Sequence, residues 1–501
     1  MLLGAASAAA AASLSDPYSK GGWTDLTPAS NSRVIYVSSS LGNDSNAGTV
    51  NAPVKTLEEA YSRLRNGRGD QMLLRAGDQW VGTLKWGKSG TADQPIVLGT
   101  YGNGPRPKII ADGSGQALWS SRGTVNHVAI RGIAFLADAG AGKDQHAING
   151  IRFVGQGQNI LIEDCLVRGA KDNILLQAWS NNGTAQIKDV NVRRNIVIDA
   201  YSRNNSEGHS QGLFASGVQG LLIEGNLFDH NGWRSGLGER TIFNHNLYIQ
   251  TDNGGVEVRD NLITRGASHG LQLRPGGTVA RNTFWRNAIG LFANTADHTV
   301  VRNLVMESDD IDPNVKNLHR GWGIDLKRGN GSRYEFNILL DRHSISERAA
   351  MLTESEVSSH PNWKPVKIRS NLFRNWDDDG SLIVVHPHLA EEFDLIDNAL
   401  VKGGWSANKY AKEVLGDPEA RFNQLLKLAR SRERAQWLRE LAGNVIYMDA
   451  WEVLQGRKIA SIEPALGPTG KLLGMVSAIP EPATLGMIGL GALLMLRRRG
   501  K

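Results

Sequence analysis

From about residue 128 to residue 401 the chain repeats one short phrase, apolar-x-x-Asn-apolar-x-apolar. It reads VRRNIVI, IEGNLF, VRDNLI, VARNTF, VVRNLVM, YEFNILL, IRSNLF and LIDNALV. The asparagines are Asn195, Asn226, Asn261, Asn282, Asn303, Asn337, Asn371 and Asn398, spaced 21 to 35 residues apart. Two earlier copies, AIRGIAF and LIEDCLV, put Ile133 and Cys165 in the same slot. Alternation with period 2 predicts short strands with apolar side chains on one face. Recurrence of the whole phrase predicts a coil whose turns stack about 4.8 Å apart. An asparagine buried at one corner can bond its counterparts above and below, satisfying backbone groups that a turn leaves bare. Unequal spacing places insertions at a corner, where loops build sites. A helical solenoid does not fit, because the apolar segments are four to seven residues long and rich in Val, Ile and Asn. The fold class is therefore all-β, a β-solenoid, and Cys165 reads as a small core residue.

Each turn carries a further strand: GIRFVG, NILLQA, GLFASG, NLYIQT, GLQLRP, GLFANT and GIDLKR. These align on Ile151, Ile174, Leu213, Leu247, Leu271, Leu291 and Ile324. The next position points outward and forms a column of Arg152, Leu175, Phe214, Tyr248, Gln272, Phe292 and Asp325. A second outward column holds Val154, Gln177, Ser216, Gln250, Arg274, Asn294 and Lys327. Two positions before the anchor stand Asn149, Asp172, Gln211, His245, His269, Ile289 and Trp322. The result is a polar, cationic strip with aromatics along one face.

Ahead of the repeats, KTLEEAYSRLR at 55–65 predicts a short amphipathic helix, with Thr56 and Glu59 as a capping box over the open sheet edge. Before it runs VIYVSSSLGNDSNAGTVNAPVKTLEEA, and after it LLRAGD. These motifs resemble the opening of right-handed parallel β-helix proteins of the pectate-lyase-like superfamily. The resemblance covers residues 33–401 and implies that fold. For activity it leaves lyase, hydrolase, epimerase and plain binder open. Calcium is common in related lyases, and the runs Asp309–Asp310–Asp312 and Asp377–Asp378–Asp379 are candidate ligands, with solvated loops as the alternative.

Three chemistries compete for the strip. In a uronate lyase, Arg274 and Lys327 would neutralise the sugar carboxylate. Tyr248 with His245 or His269 would move the protons. Gln250, Gln272, Phe292, Asn294 and Asp325 would contact the sugars, and Trp233 and Arg234 would overhang them from a long insertion. A hydrolase needs a carboxylate pair, and no adjacent-rung aspartates occur on the aligned strand. A non-catalytic matrix protein would use the same strip only to hold exopolysaccharide, with the two histidines as a structural ladder.

The ends carry signals of another kind. MLLGAASAAAAASLS (1–15) resembles a secretory signal without a basic start. Residues 407–458 predict a helical appendage opened by Asp417 and Pro418, and 459–479 a linker. The last segment, 480–501, begins Pro480, Glu481, Pro482, continues apolar from Ala483 to Leu496, and ends in Arg497, Arg498, Arg499 and Lys501. This order resembles the PEP-CTERM sorting signal. It implies export, transient membrane insertion and an exosortase-type processing partner.

Composition narrows the partners. The 501-residue chain has a formal charge of +6, and the four basic residues of the tail account for all but +2 of it. Bulk charge therefore gives no support to nucleic-acid binding, and an acidic polysaccharide must be recognised locally. A single cysteine excludes an intramolecular disulfide. A monomer is expected, and calcium is the one cofactor left open.

Overall fold

The computed structural model describes residues 23–401, apart from internal segments of which 138–147, 312–320, 343–349, 354–363, 375–382 and 385–392 are the longest, together with Ile459–Leu466 and Leu472–Val476. The expected signal segment 1–15, the appendage 407–458 and the tail 480–501 lie outside the described residues. Among the described residues no helix is long and apolar enough to cross a membrane.

The chain winds into a right-handed parallel β-helix. Each coil supplies three strands, as one turn shows. Asp172–Ala178 lies on a broad face, Ile187–Arg193 on a second face and Ile196–Ile198 on a third, after which the chain returns to the broad face at Gln211–Ser216. Every strand pairs in parallel with its counterpart one coil on: Ile174 with Leu213, Val192 with Ile223, Val197 with Phe228. One apolar core runs the length of the coil, from Val37 and Met72 through Ile174, Leu213 and Leu271 to Ile368 and Phe373.

The corner between the second and third faces is built by a pair of residues. Asp164, Arg194, Gly225, Asp260, Arg281, Arg302, Phe336 and Ser370 adopt φ of 53° to 63°, the left-handed region. That conformation costs a non-glycine residue about 1–2 kcal/mol. It turns the chain sharply enough to aim the next residue inward, and that residue is Cys165 or a repeat asparagine. Asn261 is typical. Its Oδ1 accepts the N–H of Asn226 at 2.9 Å, and its Nδ2 donates to Ile223 O at 2.9 Å and Asn282 Oδ1 at 2.9 Å. The same set repeats through Asn282, Asn303, Asn337, Asn371 and Asn398. Cys165 takes the asparagine roles with sulfur. Its Sγ faces Ile130 O at 3.8 Å, and its N–H donates to Asn195 Oδ1 at 2.9 Å.

The predicted helix is α1, Leu57–Arg63. Leu57 and Ala60 are buried in the core of the first coils. Half of the expected capping box forms: Thr56 Oγ1 accepts the N–H of Glu59 at 3.2 Å. The Glu59 carboxylate pairs instead with Arg63 at 2.7 Å, because Asp44 already takes the Thr56 N–H at 2.9 Å. In the region expected as a linker, Ile459–Leu466 adds antiparallel to Ala399–Val401 and Leu472–Val476 pairs with it in turn, extending the third sheet past its last parallel strand.

Candidate functional site

The broad face positions the strip. Leu247 pairs with Leu271, Tyr248 with Gln272, Gln272 with Phe292 and Phe292 with Asp325. The outward columns are therefore the ones expected, with Tyr248, Phe292, Arg274, Gln250, Asn294 and Lys327 half-buried.

The histidines reach this face through a phase slip. Strict alternation from Leu271 would turn His269 inward. The structure inserts a second internal asparagine ladder at the corner before the broad face. Asn173 Nδ2 donates to Asn231 Oδ1 at 3.1 Å, Asn231 to Asn246 at 2.8 Å and Asn246 to Asn287 at 3.0 Å. Because Asn173 and Asn246 take the inward direction, Asp172 and His245 before them lie toward the outside. Gly270 occupies the Asn246 position on the next coil. A Cβ there would stand 2.7 Å from Gly290 O and 3.0 Å from the Asn287 side chain, so only glycine fits.

The outward residues form a ladder of their own. Asp172 Oδ1 accepts the N–H of Gln211 at 3.1 Å, Gln211 Oε1 that of His245 at 2.9 Å and His245 Nδ1 that of His269 at 3.3 Å. The two histidines meet Nδ1 to Nδ1 at 2.9 Å. One of these ring nitrogens therefore donates to the other, and the tautomers decide which. The rings are only 2% and 5% exposed, lying beside Tyr248 and Phe292 at centroid distances of 5.5 and 5.3 Å. Asp172 loses hydration at the start of this ladder. Desolvation pushes its carboxyl up to about 7, against the opposing pull of Lys171 and the Gln211 N–H.

Tyr248 and Arg274 do come together. The guanidinium stands 5.0 Å from the Tyr248 ring centroid and donates to Gln250 Oε1 at 3.4 Å. Gln250 Nε2 donates to the Tyr248 hydroxyl at 3.3 Å. Gln272, 8% exposed, lies between Tyr248 and Phe292, and its Oε1 has no hydrogen-bond partner. Arg274 Nε is likewise without one. A tyrosine hydroxyl, a cation and two amides thus lie together on the broad face, with one donor and one acceptor unpaired and buried.

The other expected residues are placed differently. Lys327 is two coils beyond Arg274, with Asn294 between, and Asp325 on the same coil as Lys327 is buried. Trp233 and Arg234 hold the insertion to the corner: Trp233 Nε1 donates to Arg265 O at 3.1 Å and its ring meets His230 at 4.3 Å, while Arg234 lies over Tyr201 at 5.1 Å. The insertion instead presents Phe243, 53% exposed, against His209 at 5.5 Å, just ahead of His245. Asp172 and Asp325 are five coils apart. Among the described residues no group of three His, Cys, Asp or Glu side chains converges as a metal site. Of the acidic runs, Asp310, Asp312, Asp377, Asp378 and Asp379 lie outside the described residues.

The sequence reading missed Lys85 and Trp119. Leu84 pairs with Leu118 and Leu118 with Ile151, so Lys85 and Trp119 head the outward column before Arg152. Their coils lack the asparagine phrase, and Gln116–Arg131 runs as one long strand with a register shift after Ser120. The signal available was the apolar-x-apolar pattern of LKW and LWS.

The topology defines the chain as a parallel β-helix protein with a strip of polar, cationic and aromatic side chains along its broad face. Comparison with known proteins adds its destination. Residues 478–499 match the PEP-CTERM protein-sorting motif, and the protein is exported and sorted to the cell surface or beyond. One curated relative is a lacto-N-biosidase of Bifidobacterium longum, 35% identical over 99 residues, which are 19% of this chain and 6% of that protein. Similar solved structures include a GH136 lacto-N-biosidase from Eubacterium ramulus, 16% identical over 73% of this chain and 68% of that one, with a TM-score of 0.39. The pectate lyase Pel9A is 15% identical over 73% and 79%, with a TM-score of 0.43.

Proposed function

We propose that this exported β-helix binds an acidic, uronate-containing polysaccharide along the broad face and cleaves it by β-elimination. The observation that carries the reading is the Tyr248–Gln250–Arg274 cluster beside the paired histidines. Arg274 matches a sugar carboxylate with a planar fork and stabilises the charge that develops when the adjacent carbon loses its proton. Tyr248, the solvent-facing member, is the proton-transfer group. The His245–His269 pair lies behind it and holds its ring in place. In the step, the C–H bond beside the carboxylate breaks, with its proton passing to the Tyr248 oxygen. Its electrons form the carbon–carbon double bond as the glycosidic C–O bond on the next carbon breaks, and the leaving oxygen takes that proton back from Tyr248. Lys327 and Asn294 contact sugars two and one coils further on. The wide separation of Asp172 and Asp325 speaks against hydrolysis by a carboxylate pair. The 99-residue likeness to a lacto-N-biosidase supports a carbohydrate ligand.

The burial of both histidines favours a second reading, a matrix protein that holds the same glycan without cutting it. Ultraviolet absorbance of the unsaturated uronate product separates the two on a panel of uronic-acid polymers. Cleavage predicts rising absorbance with the wild type and a fall of roughly 100-fold in kcat/KM for Arg274→Ala. Retention on a glycan column without any absorbance change supports the binder, and an Arg274→Ala variant with full turnover removes Arg274 from the chemistry.

A further inference from the structure

The outward column continues well beyond the Tyr248 cluster. Through consecutive coils it reads Lys85, Trp119, Arg152, Leu175, Phe214 and Tyr248, each pairing in register with the next. Lys85 is exposed, and its Nζ lies 5.9 Å from the centroid of the half-buried Trp119 ring. Trp119 Nε1 has no hydrogen-bond partner. Arg152 follows Trp119 in this column, and only Leu175 and Phe214, between Arg152 and Tyr248, offer no charge. Two uncharged coils therefore separate a cationic end at Lys85 and Arg152 from the Tyr248 and Arg274 cluster.

We propose that Lys85 and Trp119 form a distal subsite for the same acidic polymer. Trp119 takes the face of a sugar ring, and Lys85 takes a carboxylate on that ring or the next. The assignment rests on reading the strip as an acidic-glycan site, and it adds the direction and length of what is bound. Trp119 stands four coils from Tyr248, about 19 Å at ~4.8 Å per coil. An extended pyranose is comparable in length to one coil, so a chain shorter than roughly five sugars cannot occupy both ends. The protein therefore selects polymers lying along the helix axis.

The test uses the full chain and uronic-acid oligosaccharides of graded length. For Trp119→Ala the expected result is a KM about tenfold higher on long chains with kcat unchanged. Short chains, which do not reach Trp119, should show wild-type kinetics. Lys85→Ala, at an exposed position where folding is not at stake, should give a smaller change of the same kind that disappears at high salt. Equal changes on short and long chains, or no change on either, would overturn the subsite. If the wild type cleaves nothing, the β-elimination reading falls, and the same variants are scored by equilibrium binding. Loss of the length-dependent gain in affinity then supports the subsite, and unchanged affinity at every length refutes it.

Discussion

Asn282→Ala tests whether the internal asparagine ladder holds adjacent coils together. Asn282 is fully buried, and five hydrogen bonds use its side chain. Nδ2 donates to Val258 O at 2.9 Å, Asn303 Oδ1 at 3.0 Å and Ala280 O at 3.2 Å. Oδ1 accepts from the backbone N and the Nδ2 of Asn261, at 3.0 and 2.9 Å. Truncation leaves the Asn261 N–H without that acceptor in the core, a penalty of about 1–3 kcal/mol. The remaining bonds contribute roughly 0.5–1.5 kcal/mol each. Not all of that is lost, since Asn261 Nδ2 keeps Ile223 O at 2.9 Å and Arg259 O at 2.8 Å. The expected loss is therefore about 3–5 kcal/mol. Nearest-neighbour coupling in a solenoid confines it to the joint between the Asn261 and Asn303 coils. Urea titration followed by circular dichroism and tryptophan fluorescence should show a lower midpoint, with the two probes separating if the coils on either side uncouple. Asn294→Ala is the control, because Asn294 faces outward from the core, and its effect should stay within about 0.5 kcal/mol. A midpoint for Asn282→Ala as close to wild type as the control's would refute the ladder as a source of stability.

Further expectations follow from the buried titrating groups. Burial pushes the Cys165 thiol up to about 12, so native protein should resist thiol alkylation at neutral pH and react only on unfolding; native-state labelling would contradict the placement. Cys165→Asn should leave stability unchanged or raise it, since the slot already offers the asparagine contacts, and a urea midpoint well below wild type would show that it does not. The folded Asp172 carboxyl holds its proton up to about 7, whereas the unfolded chain releases it near 3.8. Its favourable effect is thus complete at low pH and is lost as pH rises toward 7. Asp172→Asn should gain about 1–2 kcal/mol over wild type above that range, after allowance for partial solvent access, and parallel pH profiles would count against the shift. His298 has the opposite sign. Desolvation lowers it to about 4, so stability falls as pH drops from 6.5 toward 4, and His298→Gln should flatten that limb of the urea-midpoint profile.

Much of the broad face was legible because its information is local and repeated. The anchors Ile151, Ile174, Leu213, Leu247, Leu271, Leu291 and Ile324 align in one register, and a one-residue slip would have turned every apolar side chain out of the core. The second ladder was not legible. Asn173, Asn231, Asn246 and Asn287 are separated by 58, 15 and 41 residues and alternate between two kinds of segment, so no period marks them. Lys85 and Trp119 were missed because their coils have no asparagine phrase to announce them.

Alternation and the recurring corner asparagine were enough to specify a stacked coil, its inward and outward residues and the outward course of Tyr248 and Arg274. Those properties depend on neighbours two residues away and on one hydrogen-bonding side chain repeated coil after coil. The direction of His245 and His269, their near-complete burial and the contact of Arg274 with Tyr248 were settled in three dimensions. They depend on a phase slip imposed by Asn173 and Asn246 and on packing between neighbouring coils. Side chains 24 residues apart, such as Arg274 and Gln250, meet because stacking brings them within hydrogen-bonding distance.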